Sequence, residues 1–180
     1  MKKTFLFSLI NIFFVISCFE TKSRGPIKFN KKNFLKNSAN RNIDVQKKEN
    51  LIFFNVIKKD SKSKYKTSNK GFWFKILKSS KKKLKPKSGD TVKFIYNILD
   101  IKGNDIYKDD NLKPIYYIID KEEILPALRN GIKELRVGES GFFLMPSFLC
   151  YGYQGDGEKI IANQPLIVEI DLISLKTNTN

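Results

Sequence analysis

The sequence predicts an α+β fold: a curved antiparallel β-sheet wrapped around one short α-helix, with an amphipathic helix ahead of it. Three observations predict it. From Thr91 the run TVKFIYNILDI alternates, with Val92, Phe94, Tyr96 and Ile98 on one side and Lys93, Ile95, Asn97 and Leu99 on the other, the period of a strand. A second run, Leu166 to Leu175, sets Leu166, Val168, Ile170 and Leu172 facing one way. Between them, Leu125, Leu128 and Ile132 share one face at helical spacing over a short span.

Composition bounds the rest. The 180 residues suit one domain of ordinary size plus extra segments, and about 100 to 110 residues can bury a real core. The net charge of +16 is unevenly placed: residues 20–88 hold 22 Lys and Arg against 4 Asp and Glu, and residues 89–180 hold 10 against 14. A basic arm of this kind is drawn to anionic lipid by roughly 1 kcal/mol per Lys near the surface. A general bias toward Lys, Asn, Ile and Phe would give the same distribution without any such purpose. The chain has no histidine, which excludes Ser-His-Asp and Cys-His catalysis and any histidine metal site. Its two cysteines, Cys18 and Cys150, lack metal-ligand spacing, and no metal or cofactor is expected.

Taken in order, the chain opens on Lys2 and Lys3, followed by an apolar run from Thr4 to Ser17. A membrane-spanning helix needs about 20 such residues, so this shorter run reads as the core of a signal peptide. It ends in Val15-Ile16-Ser17-Cys18, which resembles the cleavage site of bacterial lipoproteins; residues 1–17 are then the leader and Cys18 the lipidated residue, a plain secretory signal and an uncleaved anchor being the alternatives. Residues 18–41 read as a flexible tether. From Ile43 to Lys59, within a helical extension at 42–70, apolar residues fall partly at helical spacing. Asp44 near the start and Lys58 and Lys59 at the end match the helix dipole. Packing on the following domain and binding a partner are both open to it.

Gly71 to Leu77 is dense in β-formers and opens the main domain, residues 71–176, ahead of a short tail at 177–180. The lysine-rich stretch from Ser79 to Ser88 lacks the glycines of a phosphate cradle and reads as a solvated loop. After the strand from Thr91, Lys102 to Asp105 turns the chain. Lys113-Pro114 precedes a strand, IYYII, and Asp120 is placed to cap the short helix. Everything converges on Gly131 to Tyr153. There the helix ends, Val137-Gly138-Glu139 turns, Gly141 to Met145 forms a strand, and Pro146 stops it. The following loop presents Tyr151 beside Gly152, with Gly155 and Gly157 keeping the backbone loose.

Residues 71–176 resemble the FKBP-type peptidyl-prolyl isomerases across the whole domain. The resemblance is carried by Gly89-Asp90-Thr91-Val92, Tyr96, Pro114 before a strand and Glu123-Ile124-Leu125 at the helix. Val137-Gly138-Glu139, Tyr151-Gly152, Ile160-Ile161, and Leu166 with Glu169 complete it, in order and at the family's spacing. With the helix Ile43 to Lys59 and the segment TSNKGFWFK, the leader is similar to those of the gliding-motility-associated lipoprotein isomerases. The resemblance implies an isomerase that needs no nucleophile, in keeping with the missing histidines. Its catalytic set would be Tyr151, Tyr96, Leu128, Ile124 and Leu125, with Ile106, Tyr107, Ile115, Ile161 and Val168 holding substrate. In that scheme Tyr151 donates its hydroxyl to the substrate carbonyl and the Leu125 N–H holds the ligand chain. Read without the family, Ile124, Ile106 and Val168 are simply core.

The departures from the pattern shape the expectation. Leu128 stands where the family usually has the tryptophan floor of its pocket. Tyr107 replaces an aspartate (displaced to Asp109 if the loop alignment slips), and Ile115 and Val168 replace two phenylalanines. The pocket is expected to be wider and less polar, a poor host for the family's macrolide ligands and modest in activity. The partners implied are proline-containing, partly folded chains and a membrane reached through the lipid, in the cell envelope on the periplasmic side. Nucleic acid is not among them, and the chain is read as a monomer. A non-catalytic chaperone or assembly subunit using the same groove is the alternative.

Overall fold

A computed structural model of the chain describes residues 31–107 and 113–178, with side chains from Leu35 onward. The signal-peptide run, Cys18, the first part of the tether and Asp109 lie outside the described residues. By its internal contacts the chain divides after Ser38, and the sheet with its site belongs to the larger unit, Ala39–Asn180.

Six antiparallel strands form one sheet. They are β1 (Lys66–Thr67), β2 (Trp73–Lys78), β3 (Thr91–Leu99), β4 (Ile115–Ile118), β5 (Ser140–Met145) and β6 (Leu166–Lys176), in the spatial order β1-β2-β5-β6-β3-β4. Among the described residues two helices accompany the sheet, α1 (Lys31–Lys59) and α2 (Pro126–Glu134), with a 3-10 turn at Ser147–Leu149. The alternation read in the sequence decides which side of β3 and β6 is core. Val92, Phe94, Val168, Ile170 and Leu172 are buried together with Ala127, Leu128 and Ile132 of α2. On the same face Phe74 and Phe143 stack with ring centroids 5.6 Å apart.

The other face of the sheet is covered as well, which is why Ile167 is buried despite its opposite orientation to Val168. Phe53 of α1, fully buried, packs with Leu99, Leu144 and Ile167. Burying such a side chain stabilises by about 1.5–3 kcal/mol. The end of α1 is pinned beside it: Asp60 accepts from Ser63 Oγ at 2.8 Å and from Tyr65 Oη at 3.0 Å, and pairs with Lys75 of β2. Of the two readings left open for this helix, packing on its own domain is the one the structure contains.

Several sequence expectations change. The helix begins at Lys31, so residues 31–41, expected as tether, are helical in their entirety, and Asp44 lies in the helix interior. Lys and Leu extend an existing helix at little cost once a packed segment has nucleated it. Asp120 does not cap α2. It takes a left-handed φ of 60°, and Lys133 Nζ donates to its carboxylate at 2.7 Å. The helix waits until Pro126 because proline drives the preceding residue out of helical geometry, and Leu125 accordingly has ψ 126°. Strand β1, within the stretch 42–70 expected as a helical extension, pairs with β2 through Lys66–Phe74 and Thr67–Trp73. Among the described residues no helix is long and apolar enough to cross a membrane.

Candidate functional site

Strand β3 turns back through Asp100, whose carboxylate accepts the N–H groups of Lys102 at 2.8 Å and Asn104 at 2.9 Å. That turn brings Ile106 and Tyr107 back beside Ile98; the Ile106 N–H donates to the Ile98 carbonyl at 3.2 Å. Proline 146 ends β5, the 3-10 turn follows, and the chain emerges at Tyr151 on the same side. The result is a hollow of about 340 Å³ lined by Tyr96, Asn97, Ile98, Tyr107, Lys113, Ile115 and Tyr151. Its size lies within the roughly 300–1,000 Å³ typical of small-ligand sites.

The residues expected from the sequence separate into three groups. Tyr96, Tyr107, Ile115 and Tyr151 line the hollow, and Ile106 and Leu125 pack in the cluster that supports it. Leu128 and Val168 belong to the core instead: Val168 has no exposed surface and Leu128 keeps 3%. With leucine in place of an indole, nothing at position 128 reaches out of the packed face between α2 and the sheet, and valine at 168 is similarly short. Ile124, half-buried, packs against that same core. Ile161, at 72% exposure, is on the open surface and does not line the hollow. Ile98 lines it without having been expected, although it shares the face of Tyr96 in the alternation, a signal that points to it.

Asn97 and Lys113 line the hollow unexpectedly too, and Asp156, outside the lining, supports its rim through Tyr107. Oδ1 of Asp156 accepts the N–H groups of Glu158 at 2.9 Å and Ile160 at 2.8 Å, and its other oxygen receives the Tyr107 hydroxyl. Burial would raise this carboxyl, but the Tyr107 bond and the backbone N–H bonds outweigh it and hold it at about 2. The same bond, with burial and the nearby negative charge, pushes the Tyr107 phenol up to about 12. Lys159 lies with its Nζ 4.8 Å from the centre of the Tyr107 ring. A carboxylate thus stands beside Tyr107, brought from the loop that follows Tyr151. No short-range sequence signal links the two.

Tyr151 is half-buried, and burial foremost, then the neighbouring Tyr96, Asp156 and Cys150, raises its phenol above the ordinary value. It therefore stays protonated through the neutral range and is able to donate a hydrogen bond. Around it the loop is closed by the backbone: the Gly155 N–H donates to the Tyr151 carbonyl at 3.2 Å, and the Asn163 N–H to the Gly152 carbonyl at 2.7 Å.

The chain has counterparts among known proteins. A family model described as FKBP-type peptidyl-prolyl cis-trans isomerase matches residues 82–173. The chain belongs to this family. The family's FK506-binding protein 2 of Dictyostelium discoideum is 31% identical over 93 residues, which is 51% of this chain and 70% of that protein. The "Probable FKBP-type peptidyl-prolyl cis-trans isomerase FkpA" of Neisseria meningitidis serogroup B is 29% identical over 122 residues, 67% of this chain and 43% of that protein. In fold, the FKBP-type chain is similar to a peptidyl-prolyl cis-trans isomerase crystal structure from Pseudomonas syringae pv. tomato. The TM-score is 0.60 at 20% identity, covering 74% of this chain and 95% of that one. Helix α1 lies wholly before the matched family segment, although its Phe53 is part of the domain's packing.

Proposed function

We propose that this FKBP-type isomerase turns X–Pro bonds in the hollow between Tyr96, Tyr107, Ile115 and Tyr151, and that it does so on envelope proteins from a lipid anchor at Cys18. The observation that carries the first half is the convergence of Tyr151 and Tyr96 on one hollow from opposite ends of the domain sequence. Rotation about a peptide bond is opposed by roughly 18–20 kcal/mol of lost resonance. Even before proline the exchange takes tens to hundreds of seconds unaided. A twisted amide has a less polar carbonyl than a planar one, so an apolar, water-poor hollow favours the twisted form over the ground state. The walls seat the proline ring, the Tyr151 hydroxyl holds the preceding carbonyl, and the N–H of Leu125 steadies the chain beyond it. No covalent intermediate is required.

The second half rests on sequence: the short apolar run ending in Val15-Ile16-Ser17-Cys18, and the basic balance of residues 20–88. Both accord with the gliding-motility-associated lipoprotein branch and with a periplasmic-facing membrane surface. Clients would be proline-containing chains that are still folding.

A protease-coupled or slow-refolding prolyl assay tests the site. The chain is expected to accelerate isomerisation, and Tyr151→Phe and Leu125→Asp to weaken it. Wild-type protein no faster than buffer would defeat the assignment, and suppression of aggregation without isomerisation would mark a chaperone. Fatty-acid labelling that is abolished in Cys18→Ser supports the anchor; label that persists in the variant removes it.

A further inference from the structure

Ser147, the residue after the proline that ends β5, is buried at 3% exposure, and both of its backbone groups are engaged. Its carbonyl accepts the N–H groups of Cys150 at 2.9 Å and Gly152 at 2.8 Å, the two residues on either side of Tyr151. Its N–H points the other way, into α1, where both carboxylate oxygens of Glu49 lie 3.3 Å from it. Glu49 is itself buried at 3% exposure, a setting in which a carboxylate persists only with hydrogen-bond partners. The residues on either side of Tyr151 are therefore bonded to Ser147, and the N–H of Ser147 is held in turn by a helix ahead of the family match.

We infer that Glu49 is a positioning residue for isomerisation: through Ser147 it fixes the loop that sets the Tyr151 hydroxyl over the hollow. The inference rests on the proposed role of Tyr151. It assigns a task to the N-terminal helix beyond covering the sheet. Phe53 anchors α1 to the outer face, and one turn earlier Glu49 reaches the start of the loop that follows β5. Without the carboxylate the Ser147 N–H is buried with no acceptor, and the peptide must rotate or shift to find one. Cys150 and Gly152 move with it, and so does the phenol between them.

The test uses the full chain and a short proline-containing peptide substrate, with folding of each variant checked by circular dichroism and thermal melting. Glu49→Leu keeps the bulk and removes the acceptor. It is expected to lower kcat by about ten- to a hundredfold with KM little changed, the scale on which a displacement near 1 Å costs rate. Glu49→Gln, which retains an oxygen for the Ser147 N–H, should recover most of that loss. In a Tyr151→Phe background, Glu49→Leu should change kcat by less than about twofold, because coupled residues are not additive. A folded Glu49→Leu protein with wild-type kcat, or a loss that simply adds to that of Tyr151→Phe, overturns the inference. Should the leucine variant fail to fold, Glu49→Asp, one methylene short of Ser147, is read by the same two outcomes. Tyr151→Phe alone reports on the underlying role. If it leaves kcat unchanged while Glu49→Leu still lowers it, Glu49 does not act through the phenol and the inference falls separately from the isomerase reading.

Discussion

Tyr107 donates its hydroxyl to Asp156 across the edge of the hollow, joining the segment after β3 to the loop that follows Tyr151. Because Asp156 also accepts the Glu158 and Ile160 N–H groups, it organises its own loop and the rim together. Asp156→Ala is expected to raise KM for a prolyl peptide severalfold while kcat changes less, since the backbone on either side of Tyr151 is held by the Ser147 carbonyl. Tyr107→Phe should show a milder version. The pair should also be insensitive to ordinary acid. A carboxyl held at about 2, below the usual aspartate value of 3.8, contributes stability above the latter pH and loses it only as pH falls through the former. A KM constant from pH 8 to 5 in steady-state assays is the expected result, and a rise within that window would count against the pair.

Gly155 shows what the loop demands. Its φ is +71°, and a Cβ there would lie 2.2 Å from the Ile160 carbonyl oxygen. In sequence this glycine reads as slack in the backbone; the contact makes it a close-approach position instead. Gly155→Ala should cost about 1–3 kcal/mol locally, the range for a residue forced into a sparsely populated conformation. Faster amide exchange in residues 152–163 with an unaffected sheet would check it. Gly157, with open space around its Cβ position, should respond less.

Leu128 invites restoration of the family's tryptophan. The leucine is buried among Ala127, Ile132 and Val168 and does not line the hollow, so an indole would have to enter a filled core or push the helix outward. Overpacking of this kind costs typically about 1–3 kcal/mol. Leu128→Trp is therefore expected to lower Tm by several degrees without improving isomerisation. A variant that is both more stable and more active would show that the space under the hollow is larger than its packing implies.

How much of the fold and site is legible in the sequence depends on how far each signal reaches along the chain. Alternation in Thr91–Leu99 and Leu166–Lys176 is local, and both strands stand where it places them, with Val92, Phe94, Ile170 and Leu172 buried. The start of α2 differs from expectation because the cap-forming chemistry of Asp120 yields to the constraint of Pro126, which is stronger. The residue types of the hollow are legible through Tyr96 and Tyr151. Which apolar residues face it is not, because Val168 and Ile106 look alike in a pattern and differ only by where the helix and the turn at Asp100 put them. Links such as Tyr107–Asp156 and Glu49–Ser147 join residues far apart in sequence, with no periodicity to announce them.

Cys150 packs with both the core and the cluster under the hollow, and burial, then the charge of Glu49, pushes its thiol up to about 12. Thiolate is the reacting species, so the folded protein should alkylate very slowly at pH 8. In a Cys18→Ser background, iodoacetamide labelling followed by mass spectrometry should remain low until denaturant is added. Rapid labelling of the native protein would mean the loop opens far enough to expose the thiol.

Glu49 also predicts a distinctive dependence of stability on pH. Burial raises its pKa above 4.5, with the Ser147 hydrogen bonds holding it back in part. A carboxyl whose folded value is raised takes up protons more readily in the native chain than in the unfolded one. Its contribution is thus most favourable below pH 4.5 and is lost as pH rises through the native value. Glu49→Gln has no such titration. All other groups being shared, the difference in Tm between Glu49→Gln and wild type should shift in favour of the glutamine as pH goes from 4 to 7. Thermal melts of the two proteins across that range, compared pairwise, measure it directly. A difference that stays constant would mean the carboxyl titrates alike in both states, and so that Glu49 is more accessible to water than its place between α1 and Ser147 allows.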